Sequence, residues 1–193
     1  GPLIDVVQAF FFKIFGVTWF SYVFHASIFN LIFIIYFFNV LKKLNLDINY
    51  CFIYALALSI LAYPSSGTPY VDHQSSYLST MSILCFIIAI NFKSKLYWFL
   101  LPILLGLSFL TKQTPTGYIF IIISMLSIYY LFFHFNIKPI IMGLSGSILI
   151  VLIFFLFIFL GKIPLNSFIN QYIFFPMSFG ETRLGEGFLF PLE

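Results

Sequence analysis

The chain has 193 residues, of which 62% are hydrophobic and only 8% are charged. Soluble domains contain about a quarter charged residues, so this composition excludes a soluble fold and is typical of an integral membrane protein. The net charge of +3 comes from single lysines between apolar runs, and this scatter excludes the basic patch of a nucleic-acid-binding protein.

The first predicted element is an amphipathic helix on the membrane surface, at about residues 4–16. Its polar side chains, including Asp5 and Gln8, project to one side, and apolar side chains cover the rest. Gly16 is suited to end this helix, and Thr18 is suited to cap the membrane span that follows.

Six apolar runs follow, and each is a candidate transmembrane helix because a span needs roughly 20 apolar residues. They show no alternation with a period of two, which excludes barrel strands. The second to fourth runs are short, so they either use flanking polar residues, lie in a thinned region or, for the second, re-enter the membrane. The predicted spans are about 17–41, 50–63, 77–92, 96–111, 117–134 and 139–161. We therefore predict an all-α polytopic membrane protein with about six transmembrane helices and one or two interfacial helices.

The last segment, 163–193, is predicted to form an outer interfacial helix and loop, with Pro164 near the first helical turn. No internal repeat divides the chain, so we predict a single membrane domain over 1–193. The chain begins at Gly1 without an initiator methionine and ends within a loop, and we expect it to be a fragment of a longer protein. Cys51 and Cys85 fall inside apolar runs and are interpreted as buried thiols.

Lysines in alternate turns set the predicted orientation. By the positive-inside rule, the lysine-containing turns are cytoplasmic, and they hold Lys42, Lys43, Lys93, Lys95 and Lys138. The opposite side holds most of the acids, namely Asp5, Asp72, Glu181 and Glu186. We predict a multi-pass protein of the plasma (inner) membrane whose acidic loops face outward.

Asp72 and His73 lie just before the third predicted span, in the segment PYVDHQSSY. Ionisable residues at membrane depth are costly, so they are candidate functional residues when a partner can be named. Alternatively, Asp72 favours the positive end of a helix dipole, Ser75 or Ser76 caps that helix, and His73 is a solvated loop residue. The pattern requires no metal or other cofactor, although a carboxylate and an imidazole are also compatible with a divalent ion.

Lys112 and Gln113 lie where one apolar run stops and the next begins, in GLSFLTKQTPTGY. Lys112 is on the predicted outer side, where the positive-inside rule makes a lysine the less expected residue. It either extends to the lipid headgroups or binds a phosphate as a point charge.

A third charged cluster, GETRLGEG, contains Glu181, Arg183 and Glu186 in the predicted outer loop. These charges either pair with one another or present Arg183 to a ligand. Arg183 is the only arginine of the chain, and its planar guanidinium is suited to a phosphate or a carboxylate.

Three segments together resemble the GT-C superfamily of membrane glycosyltransferases, in particular its dolichyl-phosphate-mannose-protein mannosyltransferase-like and aminoarabinose-transferase-like members. The first is GPLIDVVQAFFFKIFGVTWFSYVFHASIFN, which resembles the end of the first outer loop, its surface helix and the next span. The others are Asp72 just before a span and the junction GLSFLTKQTPTG around Lys112.

The resemblance implies transfer of a sugar from a polyprenyl-phosphate donor to a glycan, lipid or protein acceptor on the outer (periplasmic) face. It implies that Lys112 and Arg183 hold the departing lipid phosphate, and that Asp72 orients a substrate or supports the base. The predicted substrate-binding residues are Asp72, His73, Lys112, Gln113, Arg183 and Glu181. The acidic motif of the family lies upstream of a segment like the one at Gly1, so the catalytic base is expected there and is unknown in this chain.

Two other functions remain open from the sequence. One is a transporter or flippase subunit for an envelope lipid or a small anion, which predicts broken helices near the bilayer midplane. The other is a polymerase or ligase of surface polysaccharide, which would share the lipid carrier. The charges cluster at the ends of the runs, and this favours chemistry at the membrane surface.

Overall fold

The computed structural model describes residues 1–175 and 178. Regular structure in this part of the chain is helical, which confirms the predicted all-α class. The helices are α1 (Pro2–Phe15), α2 (Trp19–Lys43), α3 (Ile48–Leu61), α4 (Val71–Asn91), α5 (Lys95–Thr111), α6 (Gln113–Phe133), α7 (Ile137–Leu160) and α8 (Leu165–Ile169), followed by a π-helical turn, Asn170–Phe174. The chain divides into two units between Ile150 and Val151, and the first unit, Gly1–Ile150, contains the described residues of the two sites discussed below.

Four of the described helices, α2, α4, α6 and α7, are long and apolar enough to cross a membrane. Helices α3 and α5 have only 14 and 17 residues. At a rise of 1.5 Å per residue they measure about 21 and 26 Å, less than the roughly 30 Å of a hydrocarbon core. The prediction of about six transmembrane helices is therefore too high by this criterion, because two of the six apolar runs form helices that are too short.

Helix α4 is the central helix of the first unit and packs against α2, α5 and α6. In its most apolar window 61% of the residues are buried, against 11% in α6 and in α7. Helices α6 and α7 therefore expose most of their apolar surface, as expected for helices that face lipid.

Helix ends in this unit follow local sequence signals. Gly16 follows α1 with a φ of 75°, a conformation that costs glycine least. Thr18 caps α2 in a capping box with Ser21, which confirms the cap predicted for the first span. The predicted cap of α4 by Ser75 or Ser76 is wrong, because α4 begins at Val71 and both serines lie inside the helix.

Candidate functional site

Lys112 lies at a break between α5 and α6. Its backbone is extended, with φ of −158° and ψ of 133°, and its N–H donates to the Ser108 carbonyl at 3.0 Å. Thr114, in the first turn of α6, also has non-helical dihedral angles. The break places Lys112 after the end of α5 and before the start of α6, so its long side chain projects from the junction of the two helices.

The side chain of Lys112 forms an ion pair with Asp72, in which the ammonium donates to the Oδ1 atom. Asp72 lies in the first turn of α4, where a negative charge interacts favourably with the helix dipole. Lys112 follows the end of α5 and precedes the start of α6, so the two helix dipoles act on the lysine in opposite senses. The two side chains remain 47% and 39% exposed, which leaves the pair accessible to a ligand. An ammonium has three N–H donors, and the Asp72 bond occupies one of them.

The beginning of α1 lies against the end of α5, beside Lys112. A Cβ atom built on Gly1 would lie 1.9 Å from the Thr111 carbonyl oxygen, so the start of α1 contacts the end of α5 with no space for a side chain. The starts of α1 and α4 and the α5–α6 break therefore meet at one end of the unit. We call this region the Lys112 end and define it by residues 1–8, 69–75 and 111–116.

A buried polar relay ties α1, α2 and α4 together at this end. The imidazole of His25 is fully buried and lies 2.7 Å from Gln8 Oε1 and 2.6 Å from Gln74 Nε2. A neutral imidazole satisfies both contacts by donating to Gln8 and accepting from Gln74. Phe11 stacks on the ring at 5.0 Å between centroids, so the relay holds α1 in a fixed position.

A cluster of buried hydroxyl groups joins α4, α5 and α6 just inside the break. The Ser108 hydroxyl donates to the Ser75 carbonyl at 3.0 Å and lies 2.8 Å from the hydroxyls of Ser79 and Thr116. The Ser75 and Thr116 hydroxyls are 3.1 Å apart. These contacts satisfy polar groups inside a membrane domain, where an unpaired group would be costly, and they fix the helices that carry Asp72 and Lys112.

The other predicted site residues of the described part lie beside this pair. His73 follows Asp72 in α4, is half-buried, and has ring contacts with Tyr70 and Tyr77 at 6.0 and 6.5 Å. Its Nδ1 atom has no hydrogen-bond partner among the described residues. Gln113 is half-buried at the start of α6.

An open pocket of about 560 Å³ adjoins the start of α4. Its wall includes Asp5 and Gln8 from α1, Tyr22 from α2, and Tyr70 with Val71 from the α4 start. Val71 immediately precedes Asp72, so the pocket lies next to the ion pair along the chain. It combines a carboxylate and an amide with aromatic surface, as small-molecule pockets commonly do.

Three predicted residues, Glu181, Arg183 and Glu186, lie outside the described residues. Within the described part, no group of three His, Cys, Asp or Glu side chains could hold a metal ion. From the sequence, no functional role is predicted for Gln74 or for His25. The signal that could have identified the relay is the presence of polar side chains in a helix that is otherwise apolar.

Comparison with known proteins extends this description. No curated protein and no solved structure matches the chain. A family model described as dolichyl-phosphate-mannose-protein mannosyltransferase matches residues 1–160, which include the Lys112 end and all of α1 to α6. The chain therefore belongs to the dolichyl-phosphate-mannose-protein mannosyltransferase family of membrane glycosyltransferases, which use polyprenyl-phosphate sugar donors.

Proposed function

We propose that the protein transfers a sugar from a polyprenyl-phosphate donor to an acceptor at the outer (periplasmic) face of the membrane. The acceptor is a glycan, lipid or protein of the cell envelope. The observation that carries this proposal is the Lys112–Asp72 pair at a helix break, and membership of the family supports the class of donor.

Sugar transfer from a lipid phosphate needs positive charge beside the departing phosphate. Transfer breaks the bond between the anomeric carbon and a phosphate oxygen, forms a bond to the acceptor oxygen, and releases the acceptor proton to a base. Negative charge develops on the departing lipid phosphate, and a cation held there in advance lowers the barrier. The two N–H donors of Lys112 that do not bond Asp72 are suited to that role, and Asp72 positions the ammonium.

The remaining predicted residues extend the same site. We propose that His73 and Gln113 contact the substrates beside Lys112, since one follows Asp72 and the other follows Lys112 in the chain. Arg183 and Glu181 are proposed from the sequence alone, as further contacts to the phosphate and to the acceptor.

The proposed orientation rests on the distribution of lysines. Lys42, Lys93 and Lys138 lie in or beside turns at the opposite ends of the helices from Lys112. The positive-inside rule makes those turns cytoplasmic, so the Lys112 end would face outward. There it would meet the lipid-linked donor.

The alternative, a transporter or flippase subunit for an envelope lipid or small anion, predicts helices interrupted near the bilayer midplane. The break at Lys112 lies at the end of α5 instead, and the ion pair lies at the start of α4. This placement favours surface chemistry over alternating access.

The test is sugar transfer in proteoliposomes, with a labelled polyprenyl-phosphate sugar as donor. We expect Lys112→Met and Asp72→Asn each to lower turnover, the first by about tenfold or more, because a preorganised contact to the developing charge is lost. Lys42→Met is the matched control, since Lys42 ends α2 on the opposite side. Wild-type turnover in both site variants, at normal expression, would reject the site.

A further inference from the structure

A second group of cations lies at the end of the unit opposite to Lys112. The α4–α5 turn and the α6–α7 turn line a pocket of about 290 Å³. Its wall includes Lys93, Lys95, Trp98, Tyr130, His134 and Lys138, and we call these six residues the lysine pocket.

The pocket is positive from several directions. Lys93 and Lys138 come from turns more than 40 residues apart in the chain and still line one cavity. Lys95 is the first residue of α5, and Lys138 is the second residue of α7. The positive ends of these helices lie in the same turns as the negative ends of α4 and α6, so the positive charge of the pocket comes from its lysines. Among the described residues, no carboxylate lines the cavity, and Lys93, Lys95 and Lys138 are exposed.

A buried donor in the same wall lacks a partner. Trp98 is only 4% exposed, and its indole N–H has no hydrogen-bond partner among the described residues. A buried donor left unsatisfied loses the hydrogen bond that it made with water. Tyr130 lies 6.0 Å from the Trp98 ring and stacks on His134 at 4.9 Å, so the aromatic side of the cavity is continuous.

These features call for a ligand that is anionic and rich in hydrogen-bond acceptors. Lysines placed only to set topology need not share a cavity, or line it together with a residue whose buried donor has no partner among the described residues. A phosphate satisfies both requirements, because its oxygens accept from ammonium groups and from an indole N–H.

We propose that the lysine pocket binds a phosphate group, carried either by an anionic lipid headgroup or by a free phosphate. The site is separate from the proposed sugar-transfer site, since the 21 residues of α4 (Val71–Asn91) place about 30 Å between the two ends of that helix. If the lysine pocket does not bind phosphate, the proposed role of Lys112 in sugar transfer is unaffected.

The chain offers a direct reporter for this site. It contains two tryptophans, Trp98 in the pocket and the exposed Trp19 at the start of α2. In a Trp19→Phe background, the fluorescence of Trp98 can be titrated with inorganic phosphate, and it can be compared in nanodiscs of phosphatidylcholine with and without phosphatidylglycerol. A saturable change with phosphate identifies a free phosphate, and a change with phosphatidylglycerol alone identifies a lipid headgroup.

Binding should depend on the pocket lysines. We expect Lys93→Gln with Lys138→Gln to weaken the response at least about tenfold, because two charge-assisted contacts are lost. Lys42→Gln, which removes an exposed lysine at the end of α2, should bind like the parent protein. The same response in all three proteins, or none to either probe, would overturn the proposal.

A second variant tests the indole donor by itself. Trp98→Phe keeps an aromatic ring and removes the N–H, and its binding can be followed by calorimetry with whichever probe bound the parent protein. We expect a loss of about threefold to tenfold, the value of one hydrogen bond to a charged group that is partly replaced by water. Unchanged affinity would show that the indole N–H does not bind the ligand, which would contradict its proposed role.

Discussion

The two ends of the first helical unit use lysine differently. At one end a single lysine, Lys112, is paired with Asp72 at a helix break and is supported by buried polar contacts. At the other end Lys93, Lys95 and Lys138 line one cavity, to which the described part of the chain contributes no carboxylate. A paired lysine is held in one direction and suits a reaction with a defined geometry, whereas a group of exposed lysines suits binding of an anion without that precision.

The largest effect is expected for the Lys112–Asp72 ion pair, and it tests whether the two residues act together. If Asp72 acts by positioning Lys112, then Asp72→Asn should lower sugar transfer in the parent protein and should have almost no further effect in a Lys112→Met background. Such non-additivity is expected for residues that act as a unit. A double-mutant cycle on turnover measures it, and independent, multiplying losses would show that Asp72 has a role of its own.

A smaller effect concerns the packing that supports the lysine pocket. A Cβ atom on Gly146 of α7 would lie 2.1 Å from the Phe99 carbonyl oxygen of α5 and 2.8 Å from Pro102. Close approach of helices at small residues is typical of membrane domains, and we expect Gly146→Ala to destabilise the protein by about 2 to 3 kcal/mol through overpacking.

Gly143 provides the matched control on the same helix. A Cβ atom there would lie 3.9 Å from the Trp98 carbonyl oxygen, an ordinary van der Waals contact. Thermal unfolding in one detergent compares the two variants, and equal midpoints would contradict the close contact between α5 and α7. Because α7 also carries Lys138, Gly146→Ala should weaken phosphate binding as well.

The smallest effect concerns the hydroxyl cluster at the Lys112 end. Ser108→Ala removes a group that bonds the Ser75 carbonyl and contacts two further hydroxyls. We expect a loss of about 1 to 2 kcal/mol, because buried partners are left unsatisfied.

Ser147→Ala is the control, since the Ser147 hydroxyl donates to the Gly143 carbonyl of its own helix and, among the described residues, bonds no other helix. Its unfolding midpoint should stay close to that of the parent protein. If the two serine variants unfold alike, the cluster does not hold α4, α5 and α6 together.

The sequence predicted the fold class well and the extent of its helices less well. Long apolar runs without alternation specify membrane helices, because only a helix satisfies its backbone hydrogen bonds within one segment. The predicted start of α4 at about Tyr77 was six residues late, since the preceding polar residues are helical. Gln74 and Ser75 bond to His25 and Thr116, and hydropathy does not register polar groups that are satisfied inside the protein.

The candidate site shows the same limit. From the sequence, Asp72 and Lys112 are placed on one side of the membrane because their loops alternate with the lysine-containing turns assigned to the cytoplasm. Their contact depends on the packing of α4 against α5, and the relay at His25 depends on the packing of α2 against α1 and α4. The ion pair and the relay both depend on tertiary packing, which a local sequence pattern does not specify.

The most direct test of the central claim compares binding of polyprenyl phosphate with binding of the uncharged polyprenol. If Lys112 holds the lipid phosphate, the parent protein should prefer polyprenyl phosphate, and Lys112→Met should reduce that preference at least about tenfold while affinity for polyprenol stays the same. An unchanged preference in the Lys112→Met protein would contradict the account.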